Sequence, residues 1–407
     1  MKTFDIKTFP MQTRRSAGLA TALAVAAIFS ALGGCDTLRH RQLLNETVHE
    51  LDSPVVDLPI HIRKGLFVTE GRLGIDGPIV SLLIDTGAFE SKLTVSTAIT
   101  AGVAPQLVRD NSDTFGRSQR ISVGRVQALH IGELSVHKLS VGLLDWPDSA
   151  ITPCLAPDGL LGANALRGLS WHVDFEAPSL VVSRDARNLQ VPAGAARVDV
   201  SLPALSATPS VAASINGRRI DGLLVDLGAN GGLVLPRKLL ETLEIPPEQQ
   251  IVIDDNASAG IFGAARQHSI KAPVQLGFGT LAPIEVMAEF TDDSGAKLGT
   301  AVLSHYRIWL DHANQQMSLV PAVQPDAFAE RRLPHGILPG VDWPDDRWQI
   351  VYREYSATAS QSAEVAVGDR FDTINGQRPS DVFTGWCDYV ENVREWLENQ
   401  HSLEFGG

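Results

Sequence analysis

Two aspartates, Asp85 and Asp226, stand at the ends of near-identical stretches and are the residues of this 407-residue chain best placed to do chemistry. The first lies in Ser81-Leu-Leu-Ile-Asp85-Thr86-Gly87-Ala88, the second in Gly222-Leu-Leu-Val-Asp226-Leu227-Gly228-Ala229. Each is an apolar run that stops at a tight turn, the pattern of a buried strand presenting one carboxylate at the floor of a cleft. Two carboxyls within hydrogen-bonding distance of each other cannot both ionise, so such a pair shares a proton. The ionised member acts as general base on a water and the protonated one as general acid on a carbonyl. That chemistry cleaves an amide without a covalent intermediate, a metal or a cofactor. No Gly-x-Ser-x-Gly or Cys/His signature points to nucleophilic catalysis, and no Cys/His cluster has metal-ligand spacing.

The elements that must position these aspartates are repeated as well. Ile75-Asp76-Gly77 precedes the first copy and Ile215-Asn216-Gly217 the second, while Val200-Ser-Leu-Pro203 echoes Val56-Asp-Leu-Pro59. The aspartates are 141 residues apart, a suitable length for one lobe. Thr86 can hydrogen-bond across the base of the site, and Gly87 lets another backbone approach closely. Short strands separated by turn residues run from about Val56 to Arg187, with an outer strand and short helix over Leu93–Ala101. Asp110–Gly124 reads as a polar hairpin, matched in the second half by Asp255–Gly260. Asp158-Gly159-Leu160-Leu161-Gly162 is followed by Val173-Asp174-Phe175, and Gly162 allows a strand to pass under the Asp85 loop. The equivalent in the second half is Gly299–Ser304, with Ser304 at the glycine position and Trp309-Leu310-Asp311 after it.

The duplicated motif is similar to that of aspartic peptidases, and resembles the retropepsin-like branch, in which Ala follows Asp-Thr-Gly. The resemblance spans roughly residues 56–322. It implies a mainly β fold of two tandem retropepsin-like β-barrel lobes, over 56–188 and 189–325, that form a bilobal cleft. It further implies Asp85 and Asp226 as the catalytic pair, supported by Thr86, Gly87, Ala88, Leu227, Gly228, Ala229 and Gly162. The hairpin at Asp110–Gly124 corresponds to the family's flap over the substrate, or is a surface hairpin without that role. Leu227 stands where the family has Thr or Ser reaching across to the other lobe. Ala88 and Ala229 stand where pepsin-like enzymes often carry hydroxyls on the carboxylates. Two functions follow from the resemblance: an aspartic endopeptidase of the cell envelope, or a catalytically degenerate scaffold that binds peptides through the cleft and a PDZ-like C-terminal module.

Residues 333–407 change in composition. Ala366-Val-Gly-Asp369-Arg-Phe371-Asp-Thr-Ile-Asn375-Gly376 resembles the core of a PDZ domain, implying a small α+β module. Phe371 replaces the usual aliphatic residue, and no carboxylate-binding loop is evident. A helix over Asp388–Gln400 places Val390, Val393, Trp396 and Leu397 at core spacing. At the other end, residues 1–34 read as a signal peptide, with Lys2, Lys7, Arg14 and Arg15 before the apolar Ala17–Leu32. Leu32-Gly-Gly-Cys35 resembles a bacterial lipoprotein signal, which implies lipidation of Cys35 and membrane attachment through that anchor. The other reading is an ordinary cleaved signal with an incidental Cys. Asp36 resembles an inner-membrane retention signal, and residues 35–55 suit a tether or short helix. The expected location is the periplasmic side of the envelope.

Composition bounds the rest. A net charge of −13 argues against nucleic acid as a partner and points to no particular substrate; a polypeptide substrate is what the resemblance to aspartic peptidases implies. With both aspartates in one chain, a monomer suffices. Cys154 and Cys387 both sit among hydrophobic residues. A disulfide between them is open in an oxidising compartment, while two buried thiols are the simpler reading.

Overall fold

A computed structural model describes residues 36–147, 151–292, 295–324, 333–356 and 365–407. The signal peptide and Cys35 lie outside the described residues. The described residues fall into two units, one ending at residue 42 and the other running from 43 to 407. Within the first, residues 36–42 are helical. The second unit holds both lobes and the C-terminal module. The strand Val48–Leu51, in the stretch read as a tether, pairs with Leu134–Leu143 and belongs to lobe one.

The apolar run before Asp85 forms the strand Ile79–Asp85. Its residues 82–84 are apolar because both faces of the strand are covered there. Val80, Leu82 and Ile84 point into the main core, while Leu83 on the other face joins Leu66, Val68, Leu155 and Leu160. Around it a ring of strands closes into a barrel. The order is Leu66–Leu73, Ile79–Asp85, Gly159–Gly162, Ser91–Leu93, Leu134–Leu143 and Ser118–Ile131, which returns to Leu66–Leu73. Lobe two repeats the ring with Ser210–Ile215, Arg218–Val225, Lys297–Leu298, Leu233–Pro236, Ile284–Thr291 and Gln267–Gly277, closed by the last pairing with the first. The retropepsin-like pair of barrels expected from the duplicated motif is present.

The internal repeat fixes one equivalence differently from the sequence reading. Gly162 lies beside Asp85 in a parallel pairing, and a Cβ there would stand 2.8 Å from the Ala88 carbonyl. In lobe two the residue in that place is Gly299, whose added Cβ would stand 2.8 Å from the Ala229 carbonyl. The following amides match too: Ala163 N–H donates to Ala88 O and Thr300 N–H to Ala229 O. Lobe two has therefore kept the glycine, and Ser304 ends the helix Thr300–Leu303 instead. The misreading arose because Lys297 occupies the place of Leu160, which hides the apolar-apolar-Gly pattern.

The lobes join through a shared antiparallel sheet. Its central strands are Ser170–Asp174 and Tyr306–Asp311, paired Trp171 to Leu310 and Val173 to Ile308. Ser179–Ser183 and Gln316–Pro321 flank them, and Val56–Leu58 and Ala196–Ser201 lie outermost. The echo between Val56 and Val200 thus marks equivalent edge strands. At the seam His172 stacks on Trp309 with ring centres 4.1 Å apart. One apolar core runs through this sheet from lobe to lobe, so the two barrels are held as one body.

The C-terminal module is tied to both lobes. Its strand Arg347–Ser356 pairs with Ile251–Asp255 and so extends the sheet of lobe two. Its helix Trp386–Glu398 buries Tyr389, Val393 and Leu397 with Trp348, Ile374 and Phe383, and Val390 and Trp396 pack against this cluster. Asn375 and Gly376 have φ of 51° and 76°, the left-handed pair that an Asn-Gly turn supplies. Cys154 and Cys387 form a disulfide, with Cα atoms 5.2 Å apart. The expectation of two free thiols is thereby overturned. The short helix Thr152–Leu155 of lobe one meets the first turn of the C-terminal helix, and a separation of 233 residues conceals that meeting in the sequence. Beside it Arg63 pairs with Glu391 at 2.6 Å.

Alkylation of the unreduced protein should leave Cys154 and Cys387 unlabelled, and both should label after reduction. Closing so long a loop should stabilise the fold, so Cys154→Ser with Cys387→Ser is expected to cost about 2–5 kcal/mol. Free thiols in unreduced protein purified from an oxidising compartment would contradict the bridge.

Candidate active site

The strand ends Ile79–Asp85 and Arg218–Val225 deliver two turns that interlock across the base of the cleft. Each turn's glycine lies against the carboxyl of the other. A Cβ on Gly87 would stand 2.6 Å from the Cγ of Asp226, and one on Gly228 only 2.4 Å from the Cγ of Asp85. No side chain fits at either place, which is why each motif needs glycine there. The sequence-predicted pair is brought together. Asp226 is buried, and Asp85 is partly open to the cleft.

Thr86 locks the two turns. Its hydroxyl donates to the Val225 carbonyl at 2.6 Å and accepts from the Leu227 N–H at 3.0 Å. Both contacts are buried, where a lost hydrogen bond leaves its partners unsatisfied. Leu227 makes no side-chain counterpart of this bond. It is fully buried in the shared core, and packing stands in place of the second crossing hydroxyl. Of the remaining predicted support, Ala88 donates its N–H to Asp85 Oδ1 at 2.8 Å, and Gly228 donates to Asp226 Oδ1 at 3.0 Å. Ala229 and Gly162 sit behind the turns, with Ala229 O accepting from Thr300.

The electrostatics separate the two carboxyls. Burial pushes Asp226 up to about 7, reinforced by the charge of Asp85 and opposed by Lys297. Burial also raises Asp85, but the Ala88 N–H, Lys92 and the Gly87 N–H all work against it. Asp226 is therefore the member that keeps the proton, and Asp85 the one better able to hold charge. Lys92, pushed down to about 8 by burial, is held by Glu90 and Asp85.

The charged shell behind the site is legible only in the structure. Glu90, completely buried, accepts from Arg109 at 2.5 Å and from the Ser140 hydroxyl at 2.6 Å. The sequence around it, Phe89-Glu90-Ser91-Lys92, is polar and gives no sign that Glu90 is buried, which it can be only because Arg109 and Ser140 partner it. Above the site, a cleft of about 1390 Å³ is covered from both lobes. The hairpin of Pro105–Ser112 and Ser118–Ile131 carries its tip over the cleft, and Ala259–Ala264 of lobe two meets it. Arg117 pairs with Asp113 and donates to the carbonyls of Gly263 and Ala264 at 2.7 and 2.8 Å. Both predicted hairpins thus line the cleft, and they touch. The C-terminal module adds Leu338, Tyr352, Glu354 and Arg394 to its lining.

Residues 72–165 match the model of a family described as aspartyl protease. That span runs from before Asp85 to beyond Gly162. No curated protein matches the chain. Among solved structures, that of Basic 7S globulin from soybean aligns over 69% of this chain and 100% of its own, at 13% identity and a TM-score of 0.39.

The interlock gives two expectations. Gly87→Ala or Gly228→Ala must push the facing carboxyl aside, and a displacement of about 1 Å lowers kcat/KM by roughly 100-fold. Circular dichroism should show the fold kept. Thr86→Val, which orphans the Val225 carbonyl and the Leu227 N–H, should cost about 2–4 kcal/mol in denaturant unfolding. Full turnover in either glycine variant would mean that the turns do not meet as described.

Proposed function

We propose that this chain is an aspartic endopeptidase that hydrolyses polypeptides with a water activated between Asp85 and Asp226. The observation that carries the reading is the packing of each motif glycine against the opposite carboxyl, which sets the two acids face to face. Asp85, ionised, takes a proton from the water as it attacks the scissile carbonyl. Asp226, protonated, donates to the carbonyl oxygen as charge develops there. The tetrahedral intermediate then collapses as the nitrogen is protonated. No bond to the protein forms at any step.

The cell-envelope setting is part of the same proposal. Lipidation at Cys35 would tether the folded body to a membrane, with the periplasmic side of the inner membrane as the expected place. The Cys154–Cys387 bridge supports an oxidising compartment. We read residues 333–407 as a PDZ-like module on the strength of the Asn375-Gly376 turn and the following helix. Its docking against both lobes suits a role in admitting substrate to the cleft. One chain supplies both acids, so a monomer is sufficient.

Asp85→Asn should abolish hydrolysis of casein and of peptides while leaving the melting temperature close to that of the parent. The pH profile should be bell-shaped, with an optimum at roughly pH 4.5–6.5. Activity falls on the alkaline side as Asp226, raised to about 7, gives up its proton. It falls on the acid side as Asp85 gains one. The same shift affects stability. Between its ordinary 3.8 and about 7, folded Asp226 holds a proton that the unfolded chain has released. Its contribution therefore declines as pH rises through that window. Asp226→Asn should be inactive yet more stable than the parent above pH 7, by about 1–3 kcal/mol. Peptide binding with no turnover anywhere between pH 3 and 8 would favour the scaffold reading.

A further inference from the structure

The two barrels present different residues at one equivalent place beside the dyad. In lobe one Leu160 pairs with Leu83 on the catalytic strand and with Lys92 on the other side. In lobe two Lys297 pairs with Leu224 and with Val234. Leu83 and Leu224 each lie two residues before their aspartate, so Leu160 and Lys297 are counterparts, as are Lys92 and Val234. Each lobe thus has one lysine and one aliphatic residue at this level, exchanged between the strands.

The two lysines are held differently. Lys92 is buried, donates to the Glu90 carbonyl at 3.1 Å and has the buried Glu90 carboxylate as its counter-charge. Lys297 is half-buried at the edge of the cleft. Its Nζ donates to the hydroxyl of Thr114 on the flap at 3.2 Å, and among the described residues it forms no ion pair. Its charge acts on both catalytic carboxylates. The ammonium thus stands between the flap and the dyad, at the level a bound polypeptide must occupy.

The carboxylates that also line the cleft have partners of their own, Glu285 accepting from Gln275 at 3.4 Å and Glu354 from the Tyr352 hydroxyl at 3.2 Å. Asp113 pairs with Arg117 at 2.6 Å. Asp255 accepts from the N–H groups of Ala257 and Ser258 and from the Ser258 hydroxyl. Glu289 accepts from Ser269 at 2.7 Å and lies opposite Lys271 in the sheet. Facing Lys297 across the dyad, Leu83, Leu155 and Leu160 form an apolar wall with Leu66. An extended substrate alternates its side chains between the two walls.

We propose that Lys297 is a substrate-binding residue that receives an acidic side chain next to the scissile bond. The preferred substrate is then a polypeptide cut between an apolar residue, facing lobe one, and an aspartate or glutamate, facing lobe two. This rests on the endopeptidase reading, and it adds the substrate class. A carboxylate meeting an unpaired ammonium under a closed flap forms a charge-assisted hydrogen bond that Gln or Asn cannot reproduce.

The test uses full-length folded protein and matched peptides with an apolar residue at one side of the cut. The other side carries Glu, Gln or Lys, and both orientations are made. The parent should cleave the Glu peptide in one orientation about tenfold or more better than the Gln peptide. Lys297→Arg should keep the preference, Lys297→Met should abolish it by slowing the Glu peptide about tenfold more than the Gln peptide, each compared at the variant's own pH optimum, and Lys297→Glu should favour the Lys peptide. Equal cleavage of Glu and Gln peptides by the parent overturns the proposal. So does a uniform loss on all peptides in Lys297→Met with a displaced pH profile, which would make Lys297 a positioning residue for the dyad. Affinities measured by fluorescence anisotropy with Asp85→Asn protein separate the two readings. A Glu-over-Gln preference there that disappears on adding Lys297→Met upholds the subsite even if no peptide is cut. Equal affinities refute it.

Discussion

Every feature of the cleft depends on one contact, the meeting of two tight turns so close that each leaves no room for a side chain beside the other's carboxyl. Gly87 and Gly228 make that approach sterically possible, and the Thr86 hydroxyl fixes it by serving as donor and acceptor to the opposite turn. The approach has an electrostatic consequence. Two acids withdrawn from water and facing each other cannot share a protonation state, so one retains its proton near neutral pH. The differing hydrogen bonds and lysines around them decide which one.

The remainder of the fold keeps the turns from drifting. Behind each turn a short strand leads to a glycine, Gly162 or Gly299, that lies against the loop backbone. Beneath both, the shared sheet carries one core from barrel to barrel. At the cleft mouth the C-terminal module holds lobe two by strand pairing and lobe one by the disulfide and the Arg63–Glu391 pair. Such bracing compensates for Leu227, which fills its site but cannot send a hydroxyl across. The interface therefore rests on one crossing side chain with packing around it, and not on a symmetric pair.

What the sequence revealed was what repeats locally. The strand-Asp-x-Gly-Ala copies, the flanking turns and the Val56 and Val200 strands are visible because each lobe obeys the same short-range rules. The barrels, the hairpins over the cleft and the Asn375-Gly376 turn follow from those patterns. What stayed hidden depends on contacts between distant segments or on broken repetition. The Cys154–Cys387 bridge joins segments with no local signal of their meeting. Gly299 was obscured by Lys297, a charge where the pattern calls for an aliphatic residue. That departure from the repeat is also the feature with the most to say about substrate. Glu90 gave no local signal of burial, because its partners Arg109 and Ser140 lie on other strands.

The central claim, that Asp85 and Asp226 act together around a single proton, is tested most directly with a peptide whose scissile carbonyl is replaced by a secondary alcohol. Such a group imitates the tetrahedral intermediate and can be held by both acids at once. The account predicts competitive binding at least about 100-fold tighter than the unmodified peptide at pH 5–6. That advantage should fade as pH rises past about 7, where Asp226 ionises, and should be lost in Asp85→Asn. Equal affinity for the alcohol and the plain peptide, unchanged by pH or by Asp85→Asn, would contradict it.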